Sequence, residues 1–309
     1  MSLSTQLVIV VTGASDGIGR AAAQAFAVAG ARVVMIGRNE AKTAAAARKI
    51  MSETGSRSVE WLIADLTRQD AVRELAQRIS EQCPRIDVLV NNAGAVFAKR
   101  EETSDGIERT FALNHLAYVA LALLLLPSLH AASQPGRPSR ILNVSSRAHR
   151  DADFSLSDVQ LTQRYKSWRA YANSKLANVL FTRALAKRVS PALIVVHALH
   201  PGVVSTRFAT NNGRRGRVAR RLMDVVAVSP EQGADTLVWL ALEDPAIQST
   251  GGYWVKRAQT APSPRALDDD LANGLWSQSL ALLHLDGDAL VGGSGAAIAS
   301  HLPRNGLAS

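Results

Sequence analysis

Short apolar runs alternate along this chain with longer amphipathic stretches. Leu7-Val-Ile-Val-Val11, Arg32–Ile36, Val59–Ala64, Asp87–Val90, Arg140–Val144, Ile194–Leu199 and Gly251–Val255 predict seven strands. Several of these runs lack polar alternation, the pattern of strands covered on both faces, as in a parallel sheet. Between them, apolar residues at spacings of three and four predict helices over Arg20–Ala29, Glu40–Glu53, Gln69–Gln82, Trp168–Lys187 and Trp276–Leu285, with another around Gly233–Leu242. A further helix begins near Glu108 and continues through Asn114 to about Ala132. Strands alternating with helices predict one α/β domain: a Rossmann-type, doubly wound, mostly parallel seven-stranded sheet flanked by helices. The domain is expected over 1–286, with segments 147–168 and 205–228 shaping a substrate site. Residues 287–309, rich in Gly, Ala and Ser, are expected to form a disordered tail.

The helix carrying Asn114 is apolar from Phe111 to Leu126, more than one core face needs. That surplus suggests a helix–helix interface, and with it a homodimer or homotetramer. Pro127 is expected to bend or break the same helix, because proline removes a backbone donor and clashes with the preceding turn. No apolar run approaches the roughly 20 residues of a membrane span, and Leu7–Val11 is too short for a signal segment.

The composition is that of a chain with a substantial core, 47% hydrophobic and 20% charged over 309 residues. One cysteine, Cys83, leaves no internal disulfide. A cytoplasmic protein is the expectation. The net charge is +9, part of it in Arg214-Arg-Gly-Arg217 and Arg220-Arg221. Aromatic residues do not interleave with these arginines, so they read as a solvated surface and no nucleic-acid partner is expected.

Candidate chemistry begins at Thr12-Gly-Ala-Ser-Asp-Gly-Ile-Gly19, a glycine-rich turn between the first strand and first helix. Such a turn brings backbone N–H groups up to a pyrophosphate at the positive helix end. Gly37-Arg38 ends the second strand where dinucleotide folds often carry a carboxylate for the ribose hydroxyls. Arg38 there can pair with a 2′-phosphate, favouring NADP over NAD. Asp16 is a dissenting feature, since a basic residue in the loop would have suited NADP better. Asp65-Leu66 follows the third strand, where Asp65 can meet an adenine amino group or cap the next helix. Asn91-Asn-Ala-Gly94 ends the fourth strand, with small residues that admit a cofactor and with Asn91 either structural or cofactor-directed. Ser145-Ser146 ends the fifth strand, at the edge where open α/β sheets place ligands. Phe97, Phe154, Trp168 and Phe208 lie in segments expected to flank that site, as pocket walls or as core. Tyr171 and Lys175 stand four residues apart on one helix and share a face. A lysine cation so placed favours the phenolate, making Tyr171 a candidate proton donor and acceptor near neutral pH. No His/Cys/Asp grouping has metal-ligand spacing.

Taken together, Thr12-Gly-x-x-x-Gly-x-Gly19, Asp65, Asn91-Asn-Ala-Gly94, Asn114, Val144-Ser-Ser146, Tyr171-x-x-x-Lys175 and Pro201-Gly202 with Thr206 resemble the short-chain dehydrogenase/reductase family, in family order across roughly residues 5 to 256. Asn114-His-Leu, Ser174-Lys-Leu-Ala-Asn178 and His200-Pro-Gly-Val-Val resemble its retinol-dehydrogenase and WW-domain-oxidoreductase branch. The resemblance implies that Tyr171 is the general acid/base and that Lys175 lowers its pKa and holds the nicotinamide ribose. It implies that Ser146 orients the substrate oxygen and that Asn114 holds a relay water. Gly13, Ser15, Gly17 and Ile18, in the loop that also contains Asp16 and Gly19, would take phosphate and ribose. Asp65 and Leu66 would form the adenine pocket, and Asn91, Ala93 and Gly94 would line the cofactor. Pro201, Gly202, Val204 and Thr206 would bind the nicotinamide amide. The expected activity is NADP-dependent hydride transfer between nicotinamide and a small to medium, fairly apolar carbonyl or its primary or secondary alcohol. The alternatives are a nucleotide-sensing protein without turnover and a cofactor-retaining epimerase or dehydratase.

Overall fold

The computed structural model describes residues 6–202, 229–243 and 248–291. Its strands are β1 (Val8–Thr12), β2 (Arg32–Gly37), β3 (Val59–Ile63), β4 (Val88–Asn91), β5 (Ser139–Val144), β6 (Ile194–Leu199), β7 (Tyr253–Val255) and β8 (Ala258–Gln259). They form one sheet in the order β3-β2-β1-β4-β5-β6-β7-β8. All pairings are parallel except β7 with β8. The expected count of seven is therefore one short. A tight turn through Lys256 and Arg257, both at positive φ, folds Ala258–Gln259 back as a two-residue edge strand. So short a strand carries no periodicity.

The helices are α1 (Gly17–Val28), α2 (Glu40–Thr54), α3 (Gln69–Gln82), α4 (Arg109–Phe111), α5 (Ala117–Leu124), α6 (Leu126–Ala132), α7 (Ser167–Ala186), α8 (Pro230–Leu242), α9 (Asp269–Leu283) and α10 (Gly287–Val291). Side chains along each strand alternate between two apolar layers. Ile9 and Val11 face the layer that contains Ala22, Phe26, Ala47 and Leu237, from α1, α2 and α8. Val10 faces the layer that contains Leu75, Leu121, Leu180 and Leu275, from α3, α5, α7 and α9. This two-sided cover is why the strand runs are nearly all apolar.

Chain order and spatial order part company between β1 and β4, which are neighbours although β2 and β3 intervene in sequence. In open α/β sheets the crevice at the carboxyl ends of such a pair is the ligand site. Thr12-Gly13 and Asn91-Asn92 stand there.

The apolar helix is broken as Pro127 predicts: the segments Arg109–Leu124 and Leu126–Ala132 meet at 54°. No single helix among the described residues is long and apolar enough to cross a membrane. All eight residues of α5 are buried within the chain. The apolar surface of α5 is covered by the protein's own core. Of the segment expected to form a tail, residues 292–309 lie outside the described residues. Gly287–Val291 is helical, with Leu290 buried in the main core.

Candidate active site

Three glycines let the β1–α1 turn be as tight as it is. Gly13 and Gly17 have φ of 66° and 53°, the left-handed region open to glycine. A Cβ at Gly19 would lie 2.4 Å from the Gly13 carbonyl and 2.5 Å from Asn92 Nδ2. Asp16 is the α1 N-cap, accepting from the Gly17 N–H at 2.8 Å, and its other oxygen takes Lys42 Nζ at 2.9 Å. The first helical bond is Arg20 N–H to the Asp16 carbonyl. By helix geometry, the N–H groups of Ile18 and Gly19 then have no partner inside α1. The half-buried Ser15 completes the turn.

Across the crevice, Asn92 donates through Nδ2 to the Thr12 carbonyl at 2.8 Å, and its N–H donates to Thr12 Oγ1. This clamp was hidden in a sequence reading that stressed Asn91. The Asn91 side chain points into the core: Nδ2 donates to Asn143 Oδ1 at 3.0 Å and Asn143 donates on to Thr182. The amide of Asn91 thus ties β4 to β5. Tyr118 donates its hydroxyl to the Ala93 carbonyl. Asp65 accepts from the Thr67 N–H and hydroxyl, closing the turn after β3, and Leu66 beside it is buried.

At the end of β2, a Cβ on Gly37 would stand 2.0 Å from Thr43 Oγ1, so α2 packs against bare backbone. Arg38 is exposed.

The catalytic candidates converge on the carboxyl end of β5. Tyr171 and Lys175 lie on α7, both almost fully buried, with Lys175 Nζ 5.7 Å from the Tyr171 ring centre. Lys175 donates to the Val144 carbonyl at 2.9 Å. Ser146 faces the Tyr171 phenol and favours its ionised form. Ser145 instead donates to the Lys175 carbonyl, which leaves Ser146 as the serine facing the phenol. His149, missed in the sequence, accepts from the Ser263 N–H through Nε2 and is bonded through Nδ1 to the Ser146 carbonyl at 2.7 Å. Those partners place its proton on Nδ1. Only the short spacing from Ser146 could have signalled it.

Asn114 lies in a π turn, Ala112–Leu116. Its side chain is bonded to both backbone groups of Ala95 and to Ser174 Oγ. Gly94 keeps this junction open: a Cβ there would be 3.3 Å from Asn114 Oδ1 and 3.5 Å from Lys175 Nζ.

Burial pushes the Tyr171 phenol up to about 12, only partly offset by Ser146. Burial also pushes the Lys175 ammonium down to about 7. Desolvation disfavours both charged forms. Spacing alone could not disclose how deeply the pair is buried.

Pro201 and Gly202 follow β6, with the Gly202 N–H donating to His200 Nδ1. Val204, Thr206, Phe208, the arginine-rich segment and the whole 205–228 segment lie outside the described residues. Of the other aromatic candidates, Phe97 and Phe154 are core. Trp168 is 54% exposed and its ring lies 5.7 Å from that of Tyr171.

Comparison with known proteins agrees with this geometry. The short chain dehydrogenase family profile matches residues 7–216. Retinol dehydrogenase 13 of Homo sapiens is 36% identical over 284 residues, spanning 90% of this chain and 85% of the relative. An uncharacterised protein from Mycobacterium Paratuberculosis superposes with a TM-score of 0.73 at 30% identity, over 91% of this chain and 95% of that one. L-Sorbose reductase from Gluconobacter frateurii, solved with NADPH and L-sorbose, gives a TM-score of 0.64 at 26% identity over 81% and 94% of the two chains. With a glycine turn at the strand crossover and a serine, tyrosine and lysine gathered at the end of β5, the chain belongs to the short-chain dehydrogenase/reductase family of oxidoreductases, in its retinol-dehydrogenase-like branch.

Proposed function

We propose that the protein is an NADP-dependent oxidoreductase that interconverts an apolar carbonyl compound and its primary or secondary alcohol. The observation that carries this reading is the gathering of Ser146 and Tyr171, with Lys175 behind the phenol, at the carboxyl edge of the sheet beside the β1–β4 crossover. The residues suit a dinucleotide. The turn at Gly13 and Gly19 packs too closely for any side chain, and the start of α1 offers N–H groups to a phosphate. Gly37 supplies no carboxylate to repel a 2′-phosphate, and the exposed Arg38 is a cation for one. The NADPH complex of L-sorbose reductase supports the same choice.

When bound, the nicotinamide supplies or accepts the hydride. Tyr171 gives a proton to the carbonyl oxygen in reduction and takes one from the alcohol in oxidation. With its pKa pushed up to about 12 it is held as the acid, the form reduction needs. Ser146 adds a second donor where negative charge develops on the oxygen. Lys175, readily losing a proton near pH 7, is placed to restore charge balance behind the phenol. The exposed Trp168 ring offers an apolar face to the substrate, in keeping with the alcohol named in retinol dehydrogenase 13.

The test is a panel of apolar aldehydes, ketones and alcohols followed by nicotinamide absorbance with NADPH, NADH and their oxidised forms. Turnover of apolar carbonyls with NADPH preferred supports the reading; no turnover of any member, with either cofactor bound, rejects it.

A further inference from the structure

One polar side chain close to Lys175 is unused by the chemistry above. Along α7, Tyr171, Ser174, Lys175, Asn178 and Thr182 lie on one helical face as a buried polar stripe. Ser174 and Asn178 bracket Lys175, and each is bonded to Asn114. Ser174 Oγ accepts from Asn114 Nδ2 at 3.0 Å, and Asn178 Nδ2 donates to the Asn114 carbonyl at 2.9 Å. The same Nδ2 lies 3.5 Å from the Val144 carbonyl, the acceptor of Lys175 Nζ.

The π turn explains why a side chain is needed there. Its wider backbone register, with Ala117 N–H reaching the Ala112 carbonyl, disturbs the regular helical ladder. The Asn114 carbonyl takes its hydrogen bond from α7. A buried carbonyl without a donor is costly, and at this place it would also be free to draw the lysine off Val144. On its other side, Asn178 Oδ1 meets His115 Nδ1 at 3.2 Å, and His115 Nε2 meets Ser279 Oγ of α9 at 3.0 Å. All three residues are buried. The chain orders the amide: Oδ1 accepts from His115, so Nδ2 must face the two carbonyls.

We infer that Asn178 is a positioning residue for Lys175: its amide holds the Asn114 and Val144 carbonyls in place and so fixes the ammonium beneath Tyr171, with His115 and Ser279 holding the amide in turn. The inference rests on the proposed carbonyl–alcohol activity.

Two substitutions of nearly equal size test it. Asn178→Leu removes every hydrogen bond at the position. Asn178→Asp keeps the acceptor for His115 but cannot donate to the carbonyls. Both are expected to lower kcat about 30-fold or more, with the substrate KM and the NADPH Kd within threefold of the parent and with active sites counted by NADPH titration. A purely structural residue would lower the melting temperature and the active fraction but leave kcat per active site alone. That result, kcat within twofold for folded variants, overturns the inference. Ser279→Ala leaves Asn178 intact and loosens only the far end of the chain. A three- to tenfold fall in kcat at unchanged KM is expected. An unchanged kcat in Ser279→Ala overturns the inference should neither position-178 variant fold. Parent turnover in the same assays separates the two claims. An inactive parent rejects the proposed activity, whereas an active parent matched by its variants rejects only the role of Asn178.

Discussion

Lys175 Nζ stands 5.7 Å from the centre of the Tyr171 ring and hydrogen-bonds the Val144 carbonyl, so the lysine is tied to the sheet and not to the phenol. Burial brings its pKa from 10.5 to about 7. In the unfolded chain the same lysine keeps its proton to about pH 10.4. Between those values the unfolded state binds more protons than the folded one, so the Lys175 contribution makes stability rise with pH across that window. Below pH 7 the burial penalty is felt in full. Lys175→Met removes the titration. Thermal melts of the free protein from pH 6 to 9 are expected to show the variant's advantage largest at pH 6 to 7 and shrinking by pH 9. Its turnover should fall at least about a hundredfold, the lower end of what a proton-transfer group contributes.

Gly37 and Thr43 bear on the proposed preference for NADP. A Cβ at Gly37 would fall 2.0 Å from Thr43 Oγ1, and threonine, branched at Cβ, yields little. Gly37→Asp alone should therefore destabilise the β2–α2 junction and lower the melting temperature by several degrees. Combined with Thr43→Ala, the aspartate gains room. The double variant should recover the melting temperature and favour NADH, read as the ratio of kcat/KM for the two cofactors.

Under the proposed NADP preference, Arg38 acts on the 2′-phosphate. Hydrogen bonds to charged groups contribute about 1.5–3 kcal/mol, so Arg38→Ala should raise the KM for NADPH roughly 10- to 100-fold. The NADH value should stay within twofold. Steady-state kinetics with both cofactors checks this.

Ser146 faces the Tyr171 phenol and is set by His149 through its own carbonyl. Removing a donor to a developing oxyanion costs about 10²–10³ in kcat. Ser146→Ala should lose that much with KM little changed. Ser145→Ala, whose hydroxyl serves the Lys175 carbonyl, should lose less kcat and more thermal stability.

The strands were legible because two-sided burial makes them nearly all apolar. Ile194–Leu199 coincides with β6, and the other six parallel strands lie within about two residues of their expected limits. The glycine turn, Ser146 and the Tyr171–Lys175 pair were legible because their spacing carries their geometry. The hydrogen bonds of Asn92 to Thr12, of Asn178 to Asn114 and of His149 to Ser263 join residues far apart in sequence, and no local pattern announces them. What covers α5 likewise comes from distant segments, α3 and the late helix α10. The pKa values depend on depth, which spacing does not encode.

The central claim is that Tyr171 moves the proton at the substrate oxygen. Tyr171→Phe keeps the ring against Trp168 and removes only the hydroxyl, so single-turnover reduction of an active carbonyl by bound NADPH measures that proton directly. The expected result is a fall of at least about a thousandfold in rate, with NADPH bound within threefold of the parent affinity. A rate within tenfold of the parent would contradict the assignment.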